Sequence, residues 1–161
     1  MLTATTLIDR LLVSRIVREN EILGCTELEI ERVKETSGLV LPTAYIDFLR
    51  AVGNGAGQFL ADVEIFYPAM MCLNTKASKM LKNWEGEELI LPTMAYIFAM
   101  RRFEQFMYFV CDGSSENPFV YRYVEGSHCF SQLESFWDVV EAELTMAEEI
   151  RRECPNSPLL R

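Results

Sequence analysis

The sequence has a single histidine, no Cys-x-x-Cys pair and no uninterrupted apolar stretch long enough to span a membrane. One histidine rules out the multi-histidine ligand sets of most zinc enzymes and leaves His128 as the only imidazole base. The five cysteines are scattered and odd in number, which disfavours a disulfide framework and predicts a reducing compartment. The first residues lack the pattern of a secretory signal, so we expect a cytoplasmic protein without a membrane segment.

Basic residues are also scarce. The 161 residues contain 15 lysines and arginines against 24 acidic residues, which gives a formal net charge of −9. Such a surface repels phosphate backbones, so we expect no direct binding of nucleic acid. It attracts a basic protein partner instead, through long-range electrostatic steering that salt weakens.

The composition is that of a packed domain, since 50% of the residues are hydrophobic and 11% are aromatic. The length fits one domain. We predict a single domain over residues 1–161, with an added N-terminal helix over 1–23, a core over 24–153 and a tail over 154–161.

The first third of the chain has helical periodicity. Apolar residues that recur every three or four positions predict an amphipathic helix over about residues 5–21, which Gly24 would end. Thr26 and Glu29 form a capping-box pattern, which predicts a second helix from Glu27 to about residue 36. A third helix is expected to start at Leu41-Pro42, because proline is tolerated in a first helical turn.

The rest of the chain favours strands and a last helix. Aromatic and β-branched runs predict an antiparallel meander over residues 95–100, 105–111 and 119–124, with a short strand over 63–67. Residues 68–81 fit either a helix or an irregular segment, and residues 131–153 fit a C-terminal helix. The predicted fold class is α+β: N-terminal helices, a central antiparallel sheet of about four to six strands, and a C-terminal helix packed on the sheet.

Side chains that carry chemistry are few. Asp112, Glu116, His128 and Cys129 are the only group that would merit a test for enzymatic activity, and a hairpin turn and a helix start are the favoured interpretations of these positions. The glycines at 53, 55 and 57 follow a predicted helix, whereas a nucleotide-binding loop follows a strand. The sequence therefore predicts no catalytic residue, no cofactor and no metal site.

An acidic segment beside a tryptophan is the best candidate for a contact with a basic partner, although such a segment is more often a solvated loop. Its functional interpretation is a docking patch in which the tryptophan is the anchor. Together with polar residues of two other loops, the candidate partner-binding residues are Asn54, Trp84, Glu85, Glu87, Glu88, Asp112 and Glu116.

Residues 24–57, GCTELEIERVKETSGLVLPTAYIDFLRAVGNGAG, contain a more specific pattern. The positions that carry it are Gly24, Thr26, Ile30, Gly38, Leu41, Pro42, Tyr45, Phe48, Leu49 and Gly55. This segment resembles the N-terminal signature of the SUKH superfamily, which contains fungal cell-wall synthesis regulators and many bacterial toxin-immunity proteins. The resemblance covers about residues 22–144 and departs from the family at Lys34 and Ala44, two positions that we expect on the surface.

The resemblance implies protein binding without catalysis. For bacterial members it implies a cytoplasmic immunity protein that neutralises a cognate secreted toxin, often a nuclease, by stoichiometric binding. An acidic protein suits that role, because nuclease clefts are basic. The alternative that the resemblance leaves open is a non-enzymatic regulatory scaffold that binds cellular partners, as in the fungal relatives.

Overall fold

The centre of the fold is a five-stranded antiparallel sheet. In the part of the chain that the structure describes, four α-helices precede its long strands in sequence and one follows them. The computed structural model describes residues 2–82 and 89–154. The helices are α1 Ala4–Val13, α2 Glu27–Ser37, α3 Thr43–Val52, α4 Leu73–Lys82 and α5 Phe136–Glu153. The strands are β1 Ile22–Leu23, β2 Gly55–Ala56, β3 Val63–Glu64, β4 Ala95–Arg101, β5 Gln105–Val110, β6 Phe119–Val124 and β7 Ser131–Ser135. The predicted α+β class is confirmed.

The sheet is a meander, since β3 to β7 lie side by side in chain order and every neighbouring pair is antiparallel. Strands β1 and β2 form a separate two-stranded ribbon. Among residues 2–82 and 89–154, no helix combines the length and the apolar character that crossing a bilayer requires.

The prediction for residues 131–135 was wrong. This segment is not the first turn of the last helix but strand β7, which pairs with β6. Its single apolar residue, Leu133, is flanked by polar residues at alternating positions, which is a weak strand signal over only five residues. The helix begins at Phe136, after Ser135 in the extended conformation of an N-cap.

The first helix is shorter than predicted. Helix α1 ends at Val13 instead of continuing to about residue 21. The Ser14 hydroxyl donates to the Arg10 carbonyl at 2.6 Å, and Arg15 takes a left-handed conformation with φ of 56°. The chain therefore reverses, and Ile16 and Val17 enter the core with 3% and 5% exposure.

The second helix matches its prediction, and the third begins at Thr43, directly after the predicted Leu41-Pro42 start, with Pro42 as its N-cap instead of a first-turn residue. The Thr26 hydroxyl accepts the amide of Glu29 at 3.3 Å, and a carboxylate oxygen of Glu29 accepts the amide of Thr26 at 2.8 Å. Gly38, with φ of 63°, ends α2. One expectation fails at the start of α3. Ala44 is not on the surface but 5% exposed, because its amide donates to the carbonyl of Glu116 and the β5–β6 loop covers it.

The core between α3, α5 and the sheet is aromatic. Phe136 has no exposed surface, and its ring lies 5.3 to 6.1 Å from the rings of five neighbours. These neighbours are Tyr45, Phe48, Phe98, Phe109 and Trp137. Helix α1 is joined to α5 by Arg10, whose guanidinium donates to Glu141 at 3.1 Å and to Glu148 at 2.6 Å. The first helix is thus attached to the last one, far away in the sequence.

Three acidic groups of this core are held in the protonated form. Burial raises the pKa of the Cys25 and Cys111 thiols to about 11, and it raises the pKa of the Tyr96 hydroxyl to about 12. A thiol with a raised pKa carries almost no thiolate at neutral pH. These two cysteines therefore fill space in the core and are poor nucleophiles.

We expect the protein to lose stability as the pH rises from about 9 to about 11. The pKa values of these groups are higher in the folded state, so the unfolded chain releases its protons first and ionisation favours unfolding. The free energy of unfolding then falls by up to about 1.4 kcal/mol per pH unit for each group, and by less where water screens the charge. Urea unfolding at a series of pH values measures this slope.

The variant for this test is Cys111→Ala. It should flatten the alkaline slope relative to the wild type, because it removes a buried thiol with a raised pKa. A free energy of unfolding that stays constant over this pH range would contradict the prediction.

Candidate protein-binding surface

Asn54, one of the predicted partner-binding residues, lies just after α3 and is half-buried. Its side-chain amide donates to the carbonyl of Gly24 at 3.1 Å and to the carboxylate of Glu29 at 2.9 Å. The pKa of Glu29 is lowered most by the hydrogen bond from the Thr26 backbone, and next by the hydrogen bond from the Asn54 side chain. The amide of Asn54 is therefore engaged within the protein, where it fastens the end of α3 to the start of α2.

Asp112 and Glu116 lie together in the β5–β6 loop, where both are exposed. A carboxylate oxygen of Asp112 accepts the amide of Ser114 at 2.9 Å, and this bonding to Ser114 lowers the pKa of Asp112. The loop borders a cavity of about 160 Å³ that also reaches Val40, which is 82% exposed. Glu116 thus lines a small surface that also has apolar side chains.

The three predicted residues in the described part of the chain do not form one patch. The Glu116 carbonyl contacts the N-terminal end of α3, whereas Asn54 follows its C-terminal end, and ten helical residues separate the two ends by about 15 Å. The other four residues, Trp84, Glu85, Glu87 and Glu88, lie outside the described part of the chain. Of the three described residues, Asp112 and Glu116 share a loop and Asn54 lies apart from them.

The four residues named as a possible enzymatic group lie at opposite ends of strand β6. Asp112 and Glu116 precede β6, while His128 and Cys129 follow it, so about 20 Å of extended chain lies between the two pairs. Within residues 2–82 and 89–154, no group of three or more histidine, cysteine or acidic side chains is placed to hold a metal ion. The four residues do not share a site.

A groove along α5 is a surface feature that sequence reasoning missed. We call it the α5 groove. It comprises a cavity of about 380 Å³ between α5 and strands β4–β7, and an adjoining cavity of about 280 Å³ between α5 and residues 58–62. Both cavities are lined by Arg101, Glu143 and Met146. Arg101 forms ion pairs with Asp62 and Glu143, each at 3.0 Å, which fix the side chain where the two cavities meet.

The border of the α5 groove contains residues in the left-handed conformation. Leu60 and Arg102 line the groove, and both have a left-handed conformation, with φ of 57° and 52°. Phe103 follows in the tip of the β4–β5 hairpin with φ of 59°, and its side chain is 45% exposed. Arg102 and Phe103 form a tight hairpin turn, where such conformations are common, and Arg15 has the same conformation at a chain reversal away from the groove. The α5 groove is therefore a candidate surface because of its volume and its exposed apolar side chains.

A spacing signal for this groove was present in the sequence. Val139, Ala142, Met146 and Ile150 follow one another at three- and four-residue intervals, as an apolar stripe of a helix does. The periodicity of residues 131–153 was interpreted only as a C-terminal helix, without a groove-facing stripe. The left-handed residues beside the groove had no sequence signal, because none of them is glycine or asparagine.

The comparisons with known proteins agree with the family resemblance. The model of the SMI1/KNR4 family (SUKH-1) matches residues 24–142 of the 161-residue chain. No curated protein and no solved structure gave a significant match. Because the family match covers most of the chain and extends from the start of α2 into α5, the chain belongs to the SMI1/KNR4 family (SUKH-1), whose members are generally non-enzymatic immunity-type or regulatory proteins that bind other proteins.

Proposed function

We propose that this protein is a cytoplasmic immunity protein that neutralises a secreted toxin by stoichiometric binding. The observation that carries the proposal is the family match over residues 24–142. The toxin would be made by the same cell, and its active domain would be covered before export. Neutralisation then needs only a stable complex, and no bond is made or broken.

The net charge of −9 supports a basic partner, of which a nuclease domain is one example. Opposite charges raise the rate of encounter, and salt reduces that rate because it screens the two surfaces. Among the described candidate residues, Asp112 and Glu116 are exposed carboxylates in one loop and suit this role. Trp84, Glu85, Glu87, Glu88 and Asn54 remain proposed contacts from the sequence.

The test starts from the genes that flank the coding sequence. A large secreted protein with a variable C-terminal domain should be encoded nearby, and that domain should kill a host cell when expressed alone. We expect co-expression of the protein to restore growth, and we expect the two proteins to co-purify as a 1:1 complex by native mass spectrometry. A host that dies despite normal expression of the protein would contradict the proposal.

The charge argument has its own variant. Replacing Asp112 by Asn and Glu116 by Gln removes two charges with little change in shape, and should slow association with the toxin domain roughly threefold at low salt. The matched control is Glu35→Gln, which removes an exposed charge on α2. Equal association rates for the wild type and both variants would remove these two residues from the interface.

The second candidate is a regulatory scaffold that binds several cellular proteins. The same family match favours it, because the family includes regulatory members. A scaffold predicts that affinity purification recovers several housekeeping proteins reproducibly and that no toxin gene lies nearby. One tight toxin partner would exclude this alternative.

A further inference from the structure

We propose that the α5 groove binds an amphipathic helix of the partner protein, with a basic flank on that helix facing α5. This proposal rests on the proposed function and deepens it, because it names the surface and the kind of element that the partner supplies.

Helix α5 has one apolar stripe that the core covers fully and a second that it covers only in part. Phe136, Val140 and Leu144 are buried against the core. On the second stripe, Val139 and Ile150 are half-buried, whereas Ala142 is exposed and Met146 is 53% exposed. Repeats of three and four residues are those by which one helix packs against another. The second stripe is therefore shaped to receive a helix.

The dimensions of the groove agree with such an occupant. From Val139 to Ile150 the helix rises about 17 Å, which corresponds to three turns of an opposing helix. Met107 and Met146 line the groove, and methionine side chains adapt to irregular apolar surfaces. At the tip of the β4–β5 hairpin, Phe103 is a further exposed apolar side chain. A helix of about 12 residues would cover the stripe.

The charges that border the groove specify the occupant further. Glu134 and Asp138 lie on the β7–α5 side of the first cavity, whereas Arg122 lies on its β6 side. Arg102, which is also exposed, borders the adjoining cavity. Both Arg122 and Glu134 are exposed, and no ion pair between described residues neutralises them. An occupying helix is therefore expected to place lysine or arginine towards Asp138 and an acidic residue towards Arg122. A second copy of this chain is disfavoured, because two surfaces of charge −9 repel each other.

The first experiment uses a synthetic probe, so it does not depend on the identity of a toxin. The probe is an amidated peptide of about 14 residues with leucine at helix-seam positions, lysine on one flank and one glutamate on the other. In ¹⁵N NMR titrations, we expect chemical-shift changes confined to the residues that line the α5 groove, on α5, on β4–β7 and at positions 58–62. A peptide with glutamate on the flank that carried lysine should bind about tenfold more weakly.

Two groove variants and a matched control decide the location. Ala142→Arg places a long charged side chain on the exposed stripe, and Met146→Ala removes an apolar contact without adding bulk. Each should weaken peptide binding about tenfold or more. Ala69→Arg makes the same change at another exposed alanine and should bind the peptide like the wild type. Shift changes elsewhere on the protein, or unaltered affinity in both groove variants, would overturn the proposal.

Co-expression with the toxin separates this proposal from the function on which it rests. If the wild type protects and Ala142→Arg does not, while Ala69→Arg does, the groove binds the toxin. If all three protect equally, the immunity function stands and the groove proposal fails. If none protects, the proposed immunity function is contradicted, and the peptide titration still tests whether the α5 groove binds a helix. A wild-type dimer that Ala142→Arg dissociates in sedimentation would assign the groove to a second copy and overturn the proposal.

Discussion

Gly24→Ala should prevent stable folding. A β-carbon at this position would lie 1.9 Å from the carbonyl oxygen of Arg50 and 2.9 Å from its carbonyl carbon. These are backbone atoms of α3, so no flexible side chain can move aside to make room. We expect a loss of more than about 3 kcal/mol in the free energy of unfolding, measured by urea unfolding, with little folded protein recovered at 37 °C.

The neighbouring contacts explain why the chain cannot shift to relieve this clash. The amide of Cys25 donates to the carbonyl of Leu49 at 2.8 Å, and Asn54 donates to the carbonyl of Gly24 at 3.1 Å. A movement of residue 24 away from α3 would stretch both bonds. This crossing of two chain segments gives Gly24 and Asn54, two positions of the family-like segment, a structural reason for their residue types.

Gly113→Ala is the control for the glycine experiment. Gly113 has φ of 75°, and a β-carbon there would meet no atom within 4 Å. The substitution therefore carries only the cost of a left-handed conformation, about 1 kcal/mol. If Gly24→Ala and Gly113→Ala lose equal stability, steric contact with α3 is not what requires glycine at position 24.

Local signals explain which parts of the fold could be predicted. The Thr26–Glu29 capping box and Pro42 act within one helical turn, so the start of α2 was predicted correctly and that of α3 within one or two residues. The three long strands were also predicted within about one residue, because aromatic and β-branched residues are concentrated in them. In these places local preference and tertiary structure agree.

Tertiary contacts explain the errors. The periodicity of the first helix continues past Val13, but the burial of Ile16 and Val17 requires the chain to turn back at Arg15. Residues 131–135 form a strand because they pair with the edge of β6. The sequence of these five residues alone does not indicate that such a pairing partner lies beside them. Both features depend on neighbours distant in sequence.

The candidate surface was only partly predictable for a similar reason. Composition predicted an acidic surface, and Asp112 and Glu116 are indeed exposed in one loop. The α5 groove, in contrast, exists because α5 covers only part of the sheet. Which stripe of a helix remains uncovered depends on how it crosses the strands, and sequence periodicity alone does not fix that angle.

Phe136→Ala should cost about 3–5 kcal/mol in the free energy of unfolding, because it empties the centre of the aromatic core. Its ring contacts Tyr45 and Phe48 from α3 as well as Phe98 and Phe109 from the sheet. Removing it leaves a cavity that aromatic neighbours, with few rotamers, refill poorly.

The matched control is Phe119→Ala, because Phe119 is the same residue type with 54% exposure. Its loss should change the free energy of unfolding by about 1 kcal/mol or less, since most of that ring already contacts water. Thermal and urea unfolding of both variants measure the difference. Phe136 joins α3 and α5 to the sheet. If Phe136→Ala changed the free energy of unfolding only slightly, the aromatic core would not be what holds these helices. The ion pairs and hydrogen bonds at their ends would then have that role.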